Sequence, residues 1–165
     1  MKRIICIFFL IINLTYVQLG AVDNNKIIYK YYSGGMPSNY YINIDIIISP
    51  QSITLFRKHT PVNQRFHSKN IKHIIKLKNN EYNKFYKSLL SLKFYQISTK
   101  RTMIYDRNSE IIHVFINDRK YSFGETPVLT INNENNKKRF YQIVKSIFTF
   151  VKTKLPKNKH WLLRK

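Results

Sequence analysis

Cysteine is almost absent from this 165-residue chain, and Cys6 is the only one it contains. A single cysteine excludes an intramolecular disulfide. Cys6 lies at the start of an apolar N-terminal stretch rather than after it, which argues against a lipoprotein cysteine. Beyond that stretch the chain has no thiol for nucleophilic catalysis or for a thiolate metal site. Because small secreted domains of eukaryotes are often stapled by disulfides, the composition favours a bacterial periplasm.

Acidic residues are also scarce: eight Asp and Glu stand against 29 Lys and Arg, and the formal net charge is +21. Such a charge favours an anionic partner, which can be nucleic acid, lipopolysaccharide, anionic lipid or an acidic protein. The alternative is codon bias of an AT-rich genome, because lysine outnumbers arginine 21 to 8. Sites that read phosphate specifically prefer the guanidinium fork of arginine.

The N-terminus has the three parts of a secretory signal peptide. Lys2 and Arg3 precede an almost unbroken apolar run over residues 4–14, and Gly20-Ala21 offers small residues at a cleavage point. The run is shorter than the roughly 20 apolar residues of a spanning helix. We therefore expect residues 1–21 to be removed on export to the periplasm or the extracellular space, with no transmembrane segment left. The alternative is an uncleaved anchor.

Hydrophobic periodicity predicts an α+β fold for residues 26–165, treated as a single domain. Residues 40–48 alternate between apolar and polar side chains, which is typical of a half-buried strand. Residues 82–90 and 140–151 carry apolar stripes with helical spacing. We expect an antiparallel sheet of about five to six strands packed against two helices. The predicted strands are 26–32, 40–48, 53–57, 71–77, 110–116 and 120–123, and the predicted helices are 81–92 and 134–154.

Turn and capping residues connect these elements. Asn117-Asp118 predicts a tight hairpin turn, and Asn79 or Asn80 is expected to cap the first helix. Residues 59–69 are expected to form a loop, and residues 95–109 a long irregular connection.

No catalytic or metal-binding pattern stands out. The carboxylates lie mostly at turns or helix starts, where local hydrogen bonds and the helix dipole account for them. The five histidines lack the spacing of a helical metal pair, and there is no nucleophile elbow or phosphate-binding glycine loop. We therefore expect a non-enzymatic protein without metal or cofactor.

One segment has a distinctive composition, namely the run from Tyr32 through Ser33-Gly34-Gly35-Met36-Pro37-Ser38-Asn39 to Tyr40-Tyr41. Together with Pro156 and the tail Trp161-Leu162-Leu163-Arg164-Lys165, it resembles a family of small uncharacterised bacterial proteins. That resemblance implies a strand-rich domain ending in a helix, and it implies no activity. A weaker resemblance, through the early Ser-Gly-Gly and the hairpin and helix order, is to emfourin-type inhibitors of metalloproteases. Met36-Pro37 stands where those inhibitors usually carry an aromatic and a small residue.

These observations predict a binding module of the cell envelope, whose partner is an unknown protein or an anionic envelope component. The export signal argues against nucleic acid, although the tyrosines near the Gly-Gly pair would suit base stacking. An inhibitor of an exported protease and a binder held by charge alone are the alternatives, and a plain structural turn is the simplest reading of the loop. The candidate binding residues are Ser33, Gly34, Gly35, Met36, Pro37, Tyr40, Tyr41 and Trp161.

Overall fold

The computed structural model describes residues 25–33, 40–61, 68–78, 80–103 and 108–165. The predicted signal peptide lies outside these residues, as does the centre of the predicted binding loop. In chain order the strands and helices are β1 (Lys26–Tyr32), β2 (Tyr40–Ile48), β3 (Ser52–Pro61), β4 (Lys69–Lys76), α1 (Glu81–Ser91), β5 (Thr99–Arg101), β6 (Ser109–Ile116), β7 (Arg119–Glu125), β8 (Leu129–Ile131) and α2 (Glu134–Lys154). Short 3₁₀ helices cover Phe94–Gln96 and Lys157–Leu163.

Six of these strands form one sheet in the order β4-β3-β2-β1-β6-β7, and each pairs antiparallel with its neighbours. The strands β5 and β8 form a separate two-stranded antiparallel sheet. The α+β prediction is therefore confirmed.

Apolar residues at every second position of the strands form the sheet side of the core. Ile44, Ile46 and Ile48 of β2 are fully buried, and so are Ile53 and Leu55 on β3, which pair with Ile48 and Ile46. β-branched residues suit this position because they pack well on a pleated surface. The apolar stripes of both helices belong to the same cluster, through Tyr82, Phe85, Leu89, Phe140, Ile143, Ile147 and Val151.

The helix starts differ from one another. Asn133 caps α2, and its side chain accepts a hydrogen bond from the backbone N–H of Asn136. Asparagine is one of the residues preferred at this position. Asn80 is the N-cap residue of α1, as predicted, but it has φ 71° and its side chain makes no capping hydrogen bond. Instead Glu81 Oε2 accepts from the backbone N–H of Lys78 at 2.7 Å. The alternative cap, Asn79, lies outside the described residues.

Two segments predicted as irregular contain regular structure. β3 continues through His59 to Pro61 and β4 begins at Lys69, so the expected loop 59–69 is shorter than predicted. Within 95–109, the strand Thr99–Arg101 pairs with Leu129–Ile131. A three-residue strand has too few side chains for a periodic signal, and its partner lies far along the chain.

The hairpin between β6 and β7 is confirmed. Asn117 and Asp118 both have positive φ, of 43° and 65°. Two such residues between paired strands are typical of a type I′ turn, whose twist matches that of the strands.

A buried arginine holds the chain that follows α2. Arg57 of β3 is only 5% exposed and lies on the same side of the sheet as the helices. Its Nη1 donates to the carbonyl oxygen of Leu162 at 3.1 Å and to that of Arg164, and its Nε donates to His59 Nε2. Because a buried charge needs partners, these contacts fix the 3₁₀ segment against the sheet.

Gly124 of β7 generates a stability prediction. A methyl group there would lie 2.2 Å from the backbone oxygen of Glu110 and 2.7 Å from Cα of Ile111. Paired backbone in a sheet cannot move aside as a flexible side chain does. We expect Gly124→Ala to lower the free energy of unfolding by about 3 kcal/mol, at the upper end for overpacking.

Chemical denaturation measures this loss. The matched control is Lys120→Ala, at an exposed position of the same strand and face, which should change stability by no more than about 0.5 kcal/mol. Equal stability of the two variants would contradict the close backbone approach.

Candidate functional site

The sheet has two chemically different faces. One face packs against α1, α2 and the 3₁₀ segment Lys157–Leu163. The opposite face, called the open face below, carries the alternate side chains of β1–β4, β6 and β7. No helix of the described residues covers it.

Lysine dominates the charge of the open face. Strand alternation and register place six lysines on it: Lys26, Lys30, Lys58, Lys72, Lys76 and Lys120. Asp45 is the one acidic residue that the described strands contribute there. The other two strand carboxylates, Glu110 and Glu125, lie on the helix-covered face, where Glu110 accepts a 2.7 Å hydrogen bond from the Tyr29 hydroxyl. The open face therefore has six lysines against one carboxylate, whereas the covered face has Arg57, Lys69 and Arg119 beside its two glutamates.

Apolar and aromatic side chains lie between these lysines. Ile74, Tyr32 and Phe56 are 55%, 52% and 37% exposed. The ammonium of Lys72 lies 5.4 Å from the ring centre of Phe56, within cation–π range. Lys26 and Lys120 approach Phe115 in the same way, at 5.0 and 5.7 Å. A ligand on this face would meet flat apolar rings next to positive charge.

Two separate depressions lie on the open face. The larger, of about 550 Å³, includes Phe56, Lys58 and Lys72 in its lining. The smaller, of about 370 Å³, includes Lys30, Tyr32, Ser109 and Ile111. Both are also lined by Asn43 and Asp45 of β2. The two depressions together are called the open-face cleft below, and their lining residues come from strands β6, β1, β2, β3 and β4.

The two residues that line both depressions are polar and lie in unusual environments. The Oδ1 atom of Asn43 is buried and accepts no hydrogen bond from the described residues. A buried acceptor without a donor is costly, and such groups are rare in folded proteins. Burial raises the pKa of the neighbouring Asp45 carboxyl, and the positive charge of Lys30 opposes that rise.

The residues predicted for binding do not all lie on one face of the sheet. Ser33 follows β1 and forms two hydrogen bonds with Ile42 of β2. Its backbone N–H donates to the carbonyl oxygen of Ile42, and its Oγ accepts from the N–H of Ile42 at 2.7 Å. Tyr41 pairs with Thr60 and lies on the open face, half-buried. Gly34, Gly35, Met36, Pro37 and the side chain of Tyr40 lie outside the described residues.

Trp161 lies on the other side of the sheet. Its ring centre is 6.0 Å from the guanidinium carbon of Arg57, which belongs to the helix-covered face, and 40% of the residue is exposed. The structure therefore does not bring Trp161 together with Tyr41. The sequence reasoning did not select the lysines of the open face or Asn43 and Asp45 as site residues. The alternation in β2 was the signal that places Tyr41, Asn43 and Asp45 on one face.

Within the described ranges, no three His, Cys, Asp or Glu residues are grouped as a metal site would require. Neither described helix combines the length and the apolar character needed to cross a bilayer.

No protein-family model matches this sequence, and no curated protein is significantly similar to it. The two resemblances given above on the Gly-Gly segment and the tail stay predictions.

Histidine ionisation generates a prediction for the pH dependence of stability. Burial, followed by the charges of Lys120 and Lys30, lowers the pKa of His113 from its ordinary value of 6.5. Burial lowers the pKa of His59 and His73 as well. Below about pH 6.5 the unfolded chain therefore binds more protons than the folded one, and stability falls as the pH decreases. Because the pKa of Asp45 is raised, protonation of this carboxyl favours the folded state as the pH decreases. This effect occurs nearer the ordinary carboxyl pKa of 3.8, below the pH range in which the histidines titrate.

We expect the denaturant concentration at the unfolding midpoint to decrease as the pH is lowered from about 7.5 to about 5.5. This interval spans the ordinary histidine pKa. The variant His113→Asn should show a shallower decrease over the same interval. A midpoint that stays constant or rises toward acid would contradict the lowered histidine pKa values.

Proposed function

We propose that this chain is a non-enzymatic binding module that binds an anionic polymer of the cell envelope on its open face. The observation that carries the proposal is the excess of lysine over carboxylate on the open face. Six lysines share the open face with Asp45 alone, whereas Glu110 and Glu125 point toward the helices. Codon bias accounts for many lysines, but it does not account for the placement of strand carboxylates on the opposite side.

The shape of the open face supports a polymer as the partner. Five strands contribute lining residues to the two depressions, and strands are spaced about 4.8 Å apart, so the lining spans about 19 Å. A surface of that length suits an extended chain. The lysines along it are exposed at Lys30, Lys58 and Lys72, so they can approach anionic groups without prior desolvation.

The proposal extends the expectation for the Gly-Gly segment. Tyr32 and Tyr41 flank the Gly-Gly pair in the chain, and both lie on the open face. Export to the envelope stays a prediction from the N-terminal sequence.

Substituting open-face lysines tests this function. We expect the triple variant Lys30→Gln, Lys58→Gln, Lys72→Gln to bind hyaluronan oligosaccharides and single-stranded oligo-dT at least about tenfold more weakly, because each lysine near an anionic surface contributes about 1 kcal/mol. Affinity is measured by isothermal titration calorimetry at low ionic strength, where screening is weakest.

The matched control removes the same charge from the helices. Lys84, Lys145 and Lys152 are exposed on α1 and α2, and their triple Gln variant has the same net charge. It should retain most of the affinity. Equal losses in the two triple variants would show that net charge alone drives binding and would reject the open face as the site.

A further inference from the structure

The strand β4 forms one end of the six-stranded sheet. It pairs with β3, and no other strand of the described residues lies beside it. At the opposite end of the sheet, β8 contacts β7. A strand at the edge of a sheet presents a row of backbone N–H and C=O groups that have no ladder partner. Because β4 has eight residues, its outer edge is long enough to pair with another strand.

Hydrogen bonding shows which residues of β4 direct their backbone groups outward. The N–H of Leu77, directly after β4, donates to the carbonyl oxygen of Gln51, directly before β3, at 2.9 Å. Successive residues of a strand direct these groups to opposite sides, so Ile71, His73 and Ile75 point theirs toward β3. The residues that direct N–H and C=O away from β3 are Asn70, Lys72, Ile74 and Lys76.

The outward residues of β4 are accessible to a partner. All four are exposed, and their side chains lie on the open face. Their backbone groups repeat every second residue, at the spacing of a strand. A polypeptide is the polymer that carries N–H and C=O groups at this spacing, and addition of a strand to a free edge is a common form of protein recognition. The outer edge of β4 therefore fits an extended segment of polypeptide.

The side chains of β4 indicate the composition of that segment. The strand carries Lys69, Lys72 and Lys76 and no carboxylate. Lys72 and Lys76 are four residues apart on the open face, with Ile74 between them, 55% exposed. A segment paired antiparallel with β4 places one residue directly opposite each of these side chains. Cross-strand pairs of opposite charge and pairs of apolar residues are the stabilising ones. The matching sequence is acidic, any residue, apolar, any residue, acidic.

A second copy of this chain does not fit the edge as well. Pairing of two β4 strands would bring together the lysines of both, and like charges on neighbouring strands are destabilising. Lysines on an edge strand are a common protection against such self-association.

We propose that the outer edge of β4 binds an extended acidic segment of another protein by strand addition, with acidic residues opposite Lys72 and Lys76 and an apolar residue opposite Ile74. This inference goes beyond the polymer proposed for the open face, with which it shares Lys72. It adds a protein partner at the edge of the sheet.

The probe is the blocked peptide acetyl-Thr-Glu-Thr-Val-Thr-Glu-Thr-amide, titrated calorimetrically into the full chain. In the paired arrangement the N–H of its valine points toward β4, and those of the neighbouring threonines point to solvent. We expect N-methylation of the valine to weaken binding at least about tenfold, because a hydrogen bond is lost and the methyl group keeps the strands apart. N-methylation of the threonine after it should change affinity by less than about twofold.

Variants of the protein test the same contacts from the other side. Ile74→Pro removes an outward N–H at an edge position where proline is tolerated, and Ile74→Ala removes the side chain but keeps that N–H. We expect Ile74→Pro to weaken peptide binding several-fold more than Ile74→Ala. The double variant Lys72→Glu, Lys76→Glu should prefer the peptide with lysine in place of glutamate by about tenfold. Thermal unfolding checks that each variant is folded.

Amide hydrogen exchange measured by NMR shows whether the edge is free. In the unliganded protein the N–H groups of Lys72 and Ile74 should exchange faster than those of His73 and Ile75, and the peptide should protect them. Protection before the peptide is added would mean that another part of the chain already covers the edge, which would overturn the proposal.

The remaining outcomes are equally decisive. Equal effects of N-methylation at the two positions, or no binding of the peptide, would rule out strand addition. A dimer in sedimentation that Ile74→Pro dissociates would replace the acidic partner by a second copy. The tests of the open face use hyaluronan and oligo-dT, so failure of that function and failure of the strand-addition site are separate results.

Discussion

Antiparallel pairing of six neighbouring strands places every second residue of each strand on the same side of the sheet, and the rest of the molecule depends on that register. Ile27, Tyr29, Ile46 and Ile112 all face the helices because their strands pair at Tyr29–Ile46 and Tyr29–Ile112. A slip of one residue in β1 would turn Ile27 and Tyr29 outward and bring Lys30 into the core. The same register that buries the isoleucines gathers the lysines on the open face.

Polar groups on the helix-covered face are stabilised by local partners. Tyr29 donates to Glu110, and the ammonium of Lys165 forms an ion pair with the same carboxylate. That ammonium also lies 5.1 to 5.5 Å from the ring centres of Tyr29, Tyr31 and Phe148. Partly buried charges are retained where several partners contact them, whereas an unpartnered buried charge would be strongly destabilising.

Long periodic segments could be predicted from the sequence with accurate bounds. β1, β2 and α2 cover the predicted residues 26–32, 40–48 and 134–154, because a sustained period of two or of 3.6 residues is a strong local signal. Asn117-Asp118 was equally informative, since few other residue pairs tolerate positive φ at both positions. β8 was missed because it has three residues and depends on pairing with Thr99–Arg101.

The site was less predictable than the fold. Alternation places Asn43 and Asp45 on one face of β2, but it does not reveal that Phe56, Lys58 and Lys72 flank them, because cross-strand neighbours are set by pairing between distant segments. Trp161 attracted attention by its residue type, and its position beside Arg57 follows from tail contacts that no local pattern encodes.

Lysine footprinting tests the central claim most directly. The protein is acetylated with and without a hyaluronan oligosaccharide, and the modification of each lysine is quantified by mass spectrometry. The account predicts that the ligand protects Lys30, Lys58 and Lys72 and leaves Lys84, Lys145 and Lys152 as reactive as in the free protein. Protection confined to the helices, or spread evenly over both sets, would contradict the assignment of the open face as the binding surface.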